Sequence, residues 1–477
     1  MTPLIILIPL VLVRWSRWLA IVQQKEYRID RLSGYLKSRE GKKELLRITP
    51  KLADFTREGF KRPRPTARII FIWLISSLPV ICFLWSLPAL DLATAFVLGI
   101  IGYVFLPILI FLSVTPSYLI SEAMTMFVLH KAKMLVDKNH PKVVGITGSY
   151  GKTSTKLLLA HVLGGKYKVF TTPRSFNQRY SVARSVLENY RGQELMVMEY
   201  AAYKTDEIKE LAHYIKPTLA VITGLTNQHL STFGNINDII RAKSELVIAL
   251  EDKSEVFYNG RDAGALKIAE VGKAIKPVDY AAVKDLRASL SNDGKLTLEW
   301  KSHKLRTKLV GMHYLGAVEA AITLGLYLGL SEREIVAGLT SFEPGENFVR
   351  TRELKNGALL LDDGRTANQV GFRAAIDLLG ALQADLRRQN TLMIFAGIID
   401  LGDESTQTHR ELASYAKDII NEVLYVGTDG LREFRDVFGK RLIANDAEVI
   451  KRLKNIDRNT IVLLEGYIPQ KYETYLQ

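Results

Sequence analysis

The longest uninterrupted apolar runs of the chain fall before Glu122. No charged residue occurs from Ile69 to Leu90 or from Leu92 to Ser121. Each run is long enough for a helix to cross a hydrocarbon layer of about 30 Å, so two spans are predicted there. The first apolar stretch, Thr2 to Val13, is followed by Arg14 and Arg17 and continued by Trp15, Trp18 and Leu19. It can be a short span, an interfacial helix or a signal-like segment. Charges that follow the apolar stretch, and the lack of a small-residue cleavage site, argue against a signal peptide. A first span is the preferred reading, which makes two or three transmembrane helices. The intervening segment from Lys25 to Arg68 is dense in Lys and Arg and should stay on the cytoplasmic side. With one span before it and two after it, the amino terminus lies outside and everything after about Ser121 lies in the cytoplasm. The expected location is the inner (cytoplasmic) membrane.

The pattern changes after Glu122. A helical, lysine-containing connector to about Asn139 leads into short apolar runs that alternate with helical stretches, as in a parallel α/β sheet. Strands are predicted at Val143–Thr147, Lys168–Thr172, Leu195–Tyr200 and Leu219–Thr223. After a linker-like SFEPGENF at 341–348, further strands are predicted at Ala358–Leu361, Thr391–Phe395, Val423–Val426 and Thr460–Leu464. The expected organisation is a membrane region at 1–138, a central α/β domain at 139–345 and a second, Rossmann-like α/β domain at 346–477. A length of 477 residues suits about three units.

Composition changes this picture in two places. The net charge of +14 would suggest nucleic acid as a partner, but much of the excess lies between Lys25 and Arg68, where a solvated face beside anionic membrane lipid is the better reading. No nucleic-acid partner is expected. The single cysteine, Cys82, excludes an intramolecular disulfide and any cysteine-rich metal site.

The strongest chemical signal is Gly145-Ile-Thr-Gly-Ser-Tyr-Gly-Lys-Thr-Ser154, which follows a predicted strand and opens a predicted helix at Thr155–Leu163. In such a loop, small residues let backbone N–H groups close around phosphate oxygens. The helix amino terminus adds its positive end, and a lysine reaches the terminal phosphates. Gly148, Ser149, Gly151, Lys152, Thr153 and Ser154 are therefore candidate nucleotide contacts. Thr153 or Ser154 can offer a hydroxyl to magnesium.

From this loop onward the chain resembles the Mur ligase superfamily, and its phosphate loop and DD…N stretch look most like the D-alanyl-D-alanine-adding branch. The resemblance covers roughly residues 140–477. It implies a ligase that uses ATP and Mg2+ to convert a carboxylate to an acyl phosphate and joins it to an amine. The partners implied are a carboxylate-bearing peptide or cell-wall precursor and an amino acid or dipeptide. It also implies roles residue by residue. Glu199, ending LMVME, and His229 are metal ligands, and so is Lys243, a lysine that many members carry as a carbamate. Asn177, in TTPRSFNQRYSV, is a substrate contact, although Ser175 and Gln178 stand where that branch usually has Asn. Asn259 contacts the nucleotide. His313 remains in GMHYLGAVEAA, where Tyr314 and Ala317 replace expected asparagines.

In the last domain the resemblance places Arg350 on the γ-phosphate, Asp363 at the ribose, Arg365 near phosphate and Asn368 as an orienter of its loop. Lys152, Arg350, His229 and Lys243 form the expected catalytic set. Asp400, Leu401, Gly402 and His409 match a further family stretch in which Gly397 replaces an aspartate. Glu465 and Tyr467 stand where the branch has Lys-Gly-Ser. Typical members begin with a domain that binds uridine diphosphate, whereas apolar segments occupy that place here. A poly-γ-glutamate-type or other Mur-like amide ligase and an inactive nucleotide-binding scaffold are the alternatives. A transport or motor ATPase is disfavoured because no signature loop accompanies the phosphate loop.

Overall fold

The structure, a computed structural model, describes residues 2–476 except 38, 51, 56–61, 87–88, 227–232, 234, 252–253, 273–276, 365–366, 400 and 402–403. Two compact units divide the chain, Met1–Phe127 and Val128–Gln477.

In the first unit, the helix Thr2–Gln24 buries Trp15, Trp18, Leu19 and Val22. Their spacing puts them on one helical face. They pack with Ile69 and Ile72 of the helix Ala67–Ser86 and with Leu106, Ile110 and Val114 of the helix that starts at Leu92. Trp15 Nε1 donates to Ser76 Oγ at 3.0 Å. Arg17 is held by Glu44 at 2.8 Å and Asp54 at 2.5 Å, and Arg47 also pairs with Asp54, so part of the basic segment is pinned by ion pairs rather than solvated. Two helices, Ala67–Ser86 and Leu92–Asn139, are long and apolar enough to cross a membrane by length and composition. The connector expected at Glu122–Asn139 is the continuation of the second one. No Pro or Gly follows Pro116 before the helix ends, so nothing in the chain stops it there.

The second unit is built on two sheets. The first contains β1 (Lys142–Thr147), β2 (Val169–Thr171), β3 (Leu195–Glu199), β4 (Leu219–Ile222), β5 (Glu255–Tyr258) and β6 (Val278–Asp279), all parallel, in the order β2-β3-β1-β4-β5-β6. Successive residues of one strand serve two cores. Val144, Ile146, Leu195 and Val197 face the helices Lys152–Leu163 and Leu315–Tyr327, while Val143, Met196 and Met198 face Val182, Ile208 and Ile239 on the opposite side. A sheet covered on both faces needs apolar residues at every position, which is why these strands read as continuous apolar runs. A separate antiparallel sheet of β7 (Leu286–Leu290), β8 (Lys295–Trp300) and β9 (His303–Val310) was not anticipated from the sequence, nor were β5 and β6.

The last sheet contains β10 (Arg350–Glu353), β11 (Leu359–Asp363), β12 (Asn390–Phe395), β13 (Glu422–Tyr425), β14 (Leu442–Ile443) and β15 (Thr460–Glu465). Its order is β10-β11-β15-β12-β13-β14, and only β10 runs antiparallel to its neighbour. The linker between the sheets is not free. Phe342, Phe348 and Val349 are buried, and the Val349 N–H donates to Tyr314 Oη at 2.8 Å.

Leu129, Ala132 and Val136, near the end of the long helix, are buried in the core behind the first sheet. A fragment starting at residue 128 should therefore fold cooperatively. One starting at 141 should be much less stable, at about 1.5–3 kcal/mol for each large side chain removed. Thermal melts followed by circular dichroism compare the two, and equal midpoints would remove these side chains from the core.

Candidate active site

The phosphate loop leaves β1 and enters the helix Lys152–Leu163. Two of its glycines are dictated by geometry. Gly148 has φ 150°, and a Cβ there would lie 2.0 Å from Thr223 Oγ1. Gly151 caps the helix at φ 72°, a left-handed conformation that side chains resist. Thr223, just past β4, clamps the loop from below. Its N–H donates to Thr147 O at 2.9 Å and its hydroxyl to Tyr150 O at 2.5 Å, while Ser149 N donates to Gly224 O at 2.7 Å. Tyr150 Oη in turn donates to Asp262 at 2.8 Å.

Two amines converge on one carbonyl. Lys152 Nζ lies 2.8 Å and Lys243 Nζ 2.9 Å from Gly148 O. Lys243 comes from the helix Ile236–Ile248 and is only 5% exposed. Burial, and then the charge of Lys152, push its pKa well below the ordinary lysine value. Burial also lowers Lys152, with Glu199 opposing. The neutral amine is thus favoured at Lys243.

Glu199 ends β3 with no exposure to solvent. Lys156 Nζ lies 3.0 Å from its Oε1, and neither carboxylate oxygen accepts a well-formed hydrogen bond among the described residues. Thr153 Oγ1 is 3.4 Å from Ser175 Oγ, and Ser154 Oγ donates to Gly151 O at 3.0 Å. Glu199 and Thr153 offer hard oxygen donors. They suit Mg2+, which is commonly held by one or two carboxylates with phosphate oxygens and waters. His229 lies outside the described residues, and no group of three His, Cys, Asp or Glu able to hold a metal occurs among those described. Asn177 is partly buried between β2 and the helix Arg179–Asn189. Asn259 follows β5, and its amide donates to Thr223 O at 3.1 Å. The site therefore brings together Lys152, Thr153, Glu199 and Lys243. Sequence reasoning missed Lys156, Thr223, Tyr150 and Asp262. Lys156, four residues after Lys152 on the same helical face, was the one with a readable signal.

The last sheet holds the other expected residues. Arg350 is exposed at the start of β10, opposite Asp362. Among the described residues it forms no hydrogen bond or ion pair with the phosphate loop. Asp363 ends β11 in register with Glu465 of β15, at the carboxyl edge where open α/β sheets place ligands. Arg365, Asp400 and Gly402 lie outside the described residues. Asn368 accepts from Gly371 N at 2.9 Å and so caps the following helix. His409 is fully buried. Its Nε2 accepts from Ile398 N at 3.0 Å and its Nδ1 lies 2.7 Å from Ser405 O, an arrangement that suits a neutral structural imidazole. Gly397 has φ 90°, and a Cβ would lie 2.1 Å from Asp429 O, which excludes the aspartate that the resemblance leads one to expect. His313 is pushed down to about 4 by burial. Tyr314, in place of an asparagine, serves the linker. Tyr467 is 69% exposed.

A phosphate loop on a parallel sheet, followed by a second, mostly parallel α/β sheet, defines a nucleotide-binding α/β protein. Residues 146–325 match the family profile of the Mur ligase middle domain. Among curated relatives, the UDP-N-acetylmuramoyl-tripeptide--D-alanyl-D-alanine ligase of Borreliella burgdorferi is 29% identical over 322 residues, 64% of this chain and 66% of its own. The Bacillus subtilis ligase of the same name is 26% identical over 306 residues, 63% of this chain and 65% of its own. The matches thus span just under two thirds of either relative. Among solved structures, MurF from Acinetobacter baumannii superposes with a TM-score of 0.65 at 24% identity, covering 74% of this chain and 79% of its own. MurF ligase from Thermotoga maritima in complex with ADP gives 0.64 at 23%, covering 74% and 82%.

Burial raises the pKa of both Asp363 and Glu465, with the charge of Asp362 adding to the effect on Asp363 and that of Asp363 adding to the effect on Glu465. The folded chain then binds protons more tightly than the unfolded one. The stability contributed is present below the ordinary carboxylate range and lost as pH rises through the raised values. Glu465→Gln should raise the melting midpoint at pH 8, by about 2–4 °C per kcal/mol recovered, and do little at pH 4. An equal gain at both pH values would show that charge is not the cause.

Proposed function

We propose that the chain is an ATP-dependent carboxylate–amine ligase that acts in peptidoglycan precursor synthesis, adding D-alanyl-D-alanine or performing a related step. The observation that carries this reading is the convergence of Lys152 and Lys243 on Gly148 beside the buried Glu199, inside a Mur ligase middle domain. The names of the relatives support the substrate class.

In this reading the loop's backbone N–H groups and Lys152 hold the triphosphate, Lys152 leaving the Gly148 carbonyl for phosphate oxygens. An oxygen of the acceptor carboxylate attacks the γ-phosphorus, the bond to the β–γ bridging oxygen breaks, and ADP leaves. The amine then attacks the acyl carbon, loses a proton, and inorganic phosphate departs with the amide formed. Lys152, with Arg350 carried in by the last domain, offsets charge on the transferred phosphoryl group. Bound Mg2+ would neutralise phosphate charge and would be held by Glu199 and Thr153, with His229 as a further ligand. Asn259 would contact the nucleotide, Asp363 the ribose and Arg365 a phosphate. Asn177 would meet the acceptor.

Lys243 is proposed to act as a carbamate. Its neutral Nζ adds to the carbon of CO2 and releases one proton, which changes the side chain from an uncharged amine to a carbamate of charge −1. Burial and Lys152 favour the neutral amine that this addition needs. The domain limits proposed are 1–127, 128–345 and 346–477, the first boundary lying earlier than the 138/139 expected from the sequence because Leu129, Ala132 and Val136 belong to the core behind the first sheet. The first is proposed as an anchor in the inner membrane, with the catalytic domains in the cytoplasm, on the strength of the two long apolar helices and the lipid-suited exposure of Leu78, Trp85, Ile101 and Leu112.

Lys152→Ala should abolish ADP release that depends on both carboxylate and amine while leaving the fold intact. Near-normal turnover in that variant would sink the ATP-site assignment. Lys243→Ala should lose turnover and regain part of it when formate supplies the missing carboxylate oxygens. Full activity without additive would make Lys243 a bystander, and loss without rescue would count against the carbamate.

A further inference from the structure

Lys156 has no role in the chemistry above, yet it is fully buried at the floor of the site. Its Nζ lies 3.0 Å from Glu199 Oε1, 2.9 Å from Thr172 O, 3.1 Å from Thr172 Oγ1 and 2.6 Å from Arg174 O. Three of these four partners belong to the segment that leaves β2 and leads to Asn177. The fourth is the carboxylate assigned to the metal. One ammonium thus joins the metal carboxylate to the acceptor-side loop.

We propose that Lys156 is a positioning residue with two separable duties: its charge restrains the cation affinity of Glu199 until nucleotide binds, and its hydrogen bonds fix the 172–174 turn. The inference rests on the ligase reading of the same site. Its physical basis is a balance of charge. Without nucleotide, Glu199 faces Lys156 and feels Lys152, so its negative charge is already spoken for and a divalent cation gains little by approaching. A bound triphosphate supplies several negative charges beside the same lysines. Glu199 Oε2, which accepts no hydrogen bond among the described residues, then becomes available to a metal. Metal is thereby made to arrive with nucleotide rather than ahead of it. A purely structural strut would predict a loosened 172–174 turn but no change in the metal affinity of the nucleotide-free chain.

Two variants of the full chain separate the duties. Lys156→Met removes both the charge and the donors. Lys156→Gln removes the charge and keeps two N–H donors, one bond shorter. Mn2+ binding is followed by electron paramagnetic resonance with and without β,γ-methylene-ATP, and deuterium exchange is followed over residues 170–180. Without nucleotide, both variants should bind Mn2+ about tenfold or more tightly than the wild type. Exchange over 170–180 should speed up about tenfold in Lys156→Met and stay near wild type in Lys156→Gln. Unchanged or weaker Mn2+ binding in Lys156→Gln overturns the charge duty, and it decides the matter alone if Lys156→Met does not fold. Equal exchange in all three proteins overturns the tether. A wild-type chain that binds neither Mn2+ nor the analogue, separately or together, refutes the ligase reading itself, which keeps that failure distinct.

Discussion

The site depends on positive charge that the folded chain cannot balance by itself. Lys243 feels the charge of Lys152, and Glu199 is the carboxylate that acts on Lys152 and Lys156. Burying charge without a partner is costly, and the chain meets that cost in several ways. One lysine pairs with Glu199, a second folds back onto loop carbonyls, and the third is driven toward its neutral form. Two of the three arrangements rely on Gly148, whose carbonyl receives the amines of Lys152 and Lys243 and whose Cα passes so close to Thr223 that no side chain fits. The loop thus gathers lysines at the place where a polyanion would bind.

Much of this was legible in the sequence. The two-faced parallel strands announce themselves because every position must be apolar, and Gly148 to Ser154 does so because few other tasks require that spacing of small residues before a lysine. The antiparallel sheet was missed although LTLEW alternates cleanly, with Leu296, Leu298 and Trp300 inside. Attention to βαβ alternation hid a short stretch of period two. Lys156 was missed for a different reason. A lysine inside an amphipathic helix is ordinarily solvated, so its place four residues after Lys152 is only a weak signal until Glu199 and the turn after β2 are seen to enclose it.

Resemblance was least informative where a residue is retained while its surroundings decide its work. His409 is locked between a backbone donor and Ser405, and Asn368 satisfies a helix amino terminus. Both would be kept for folding alone. Glu465 is the opposite case. It occupies a strand end where the resemblance leads one to expect a lysine, and it leaves two carboxylates facing each other across adjacent strands.

The tie between Tyr314 and Val349 gives the linker a mechanical character. With Phe342 and Phe348 embedded and the Val349 amide fastened to a ring on the central domain, the segment behaves as a clamped flexure rather than a slack cord. Rotation of the last sheet would then concentrate in the bonds just beyond Val349, which is where Arg350 begins β10. A small angular change at that point would swing the guanidinium through a short and reproducible arc, much as a key turns about a fixed pin.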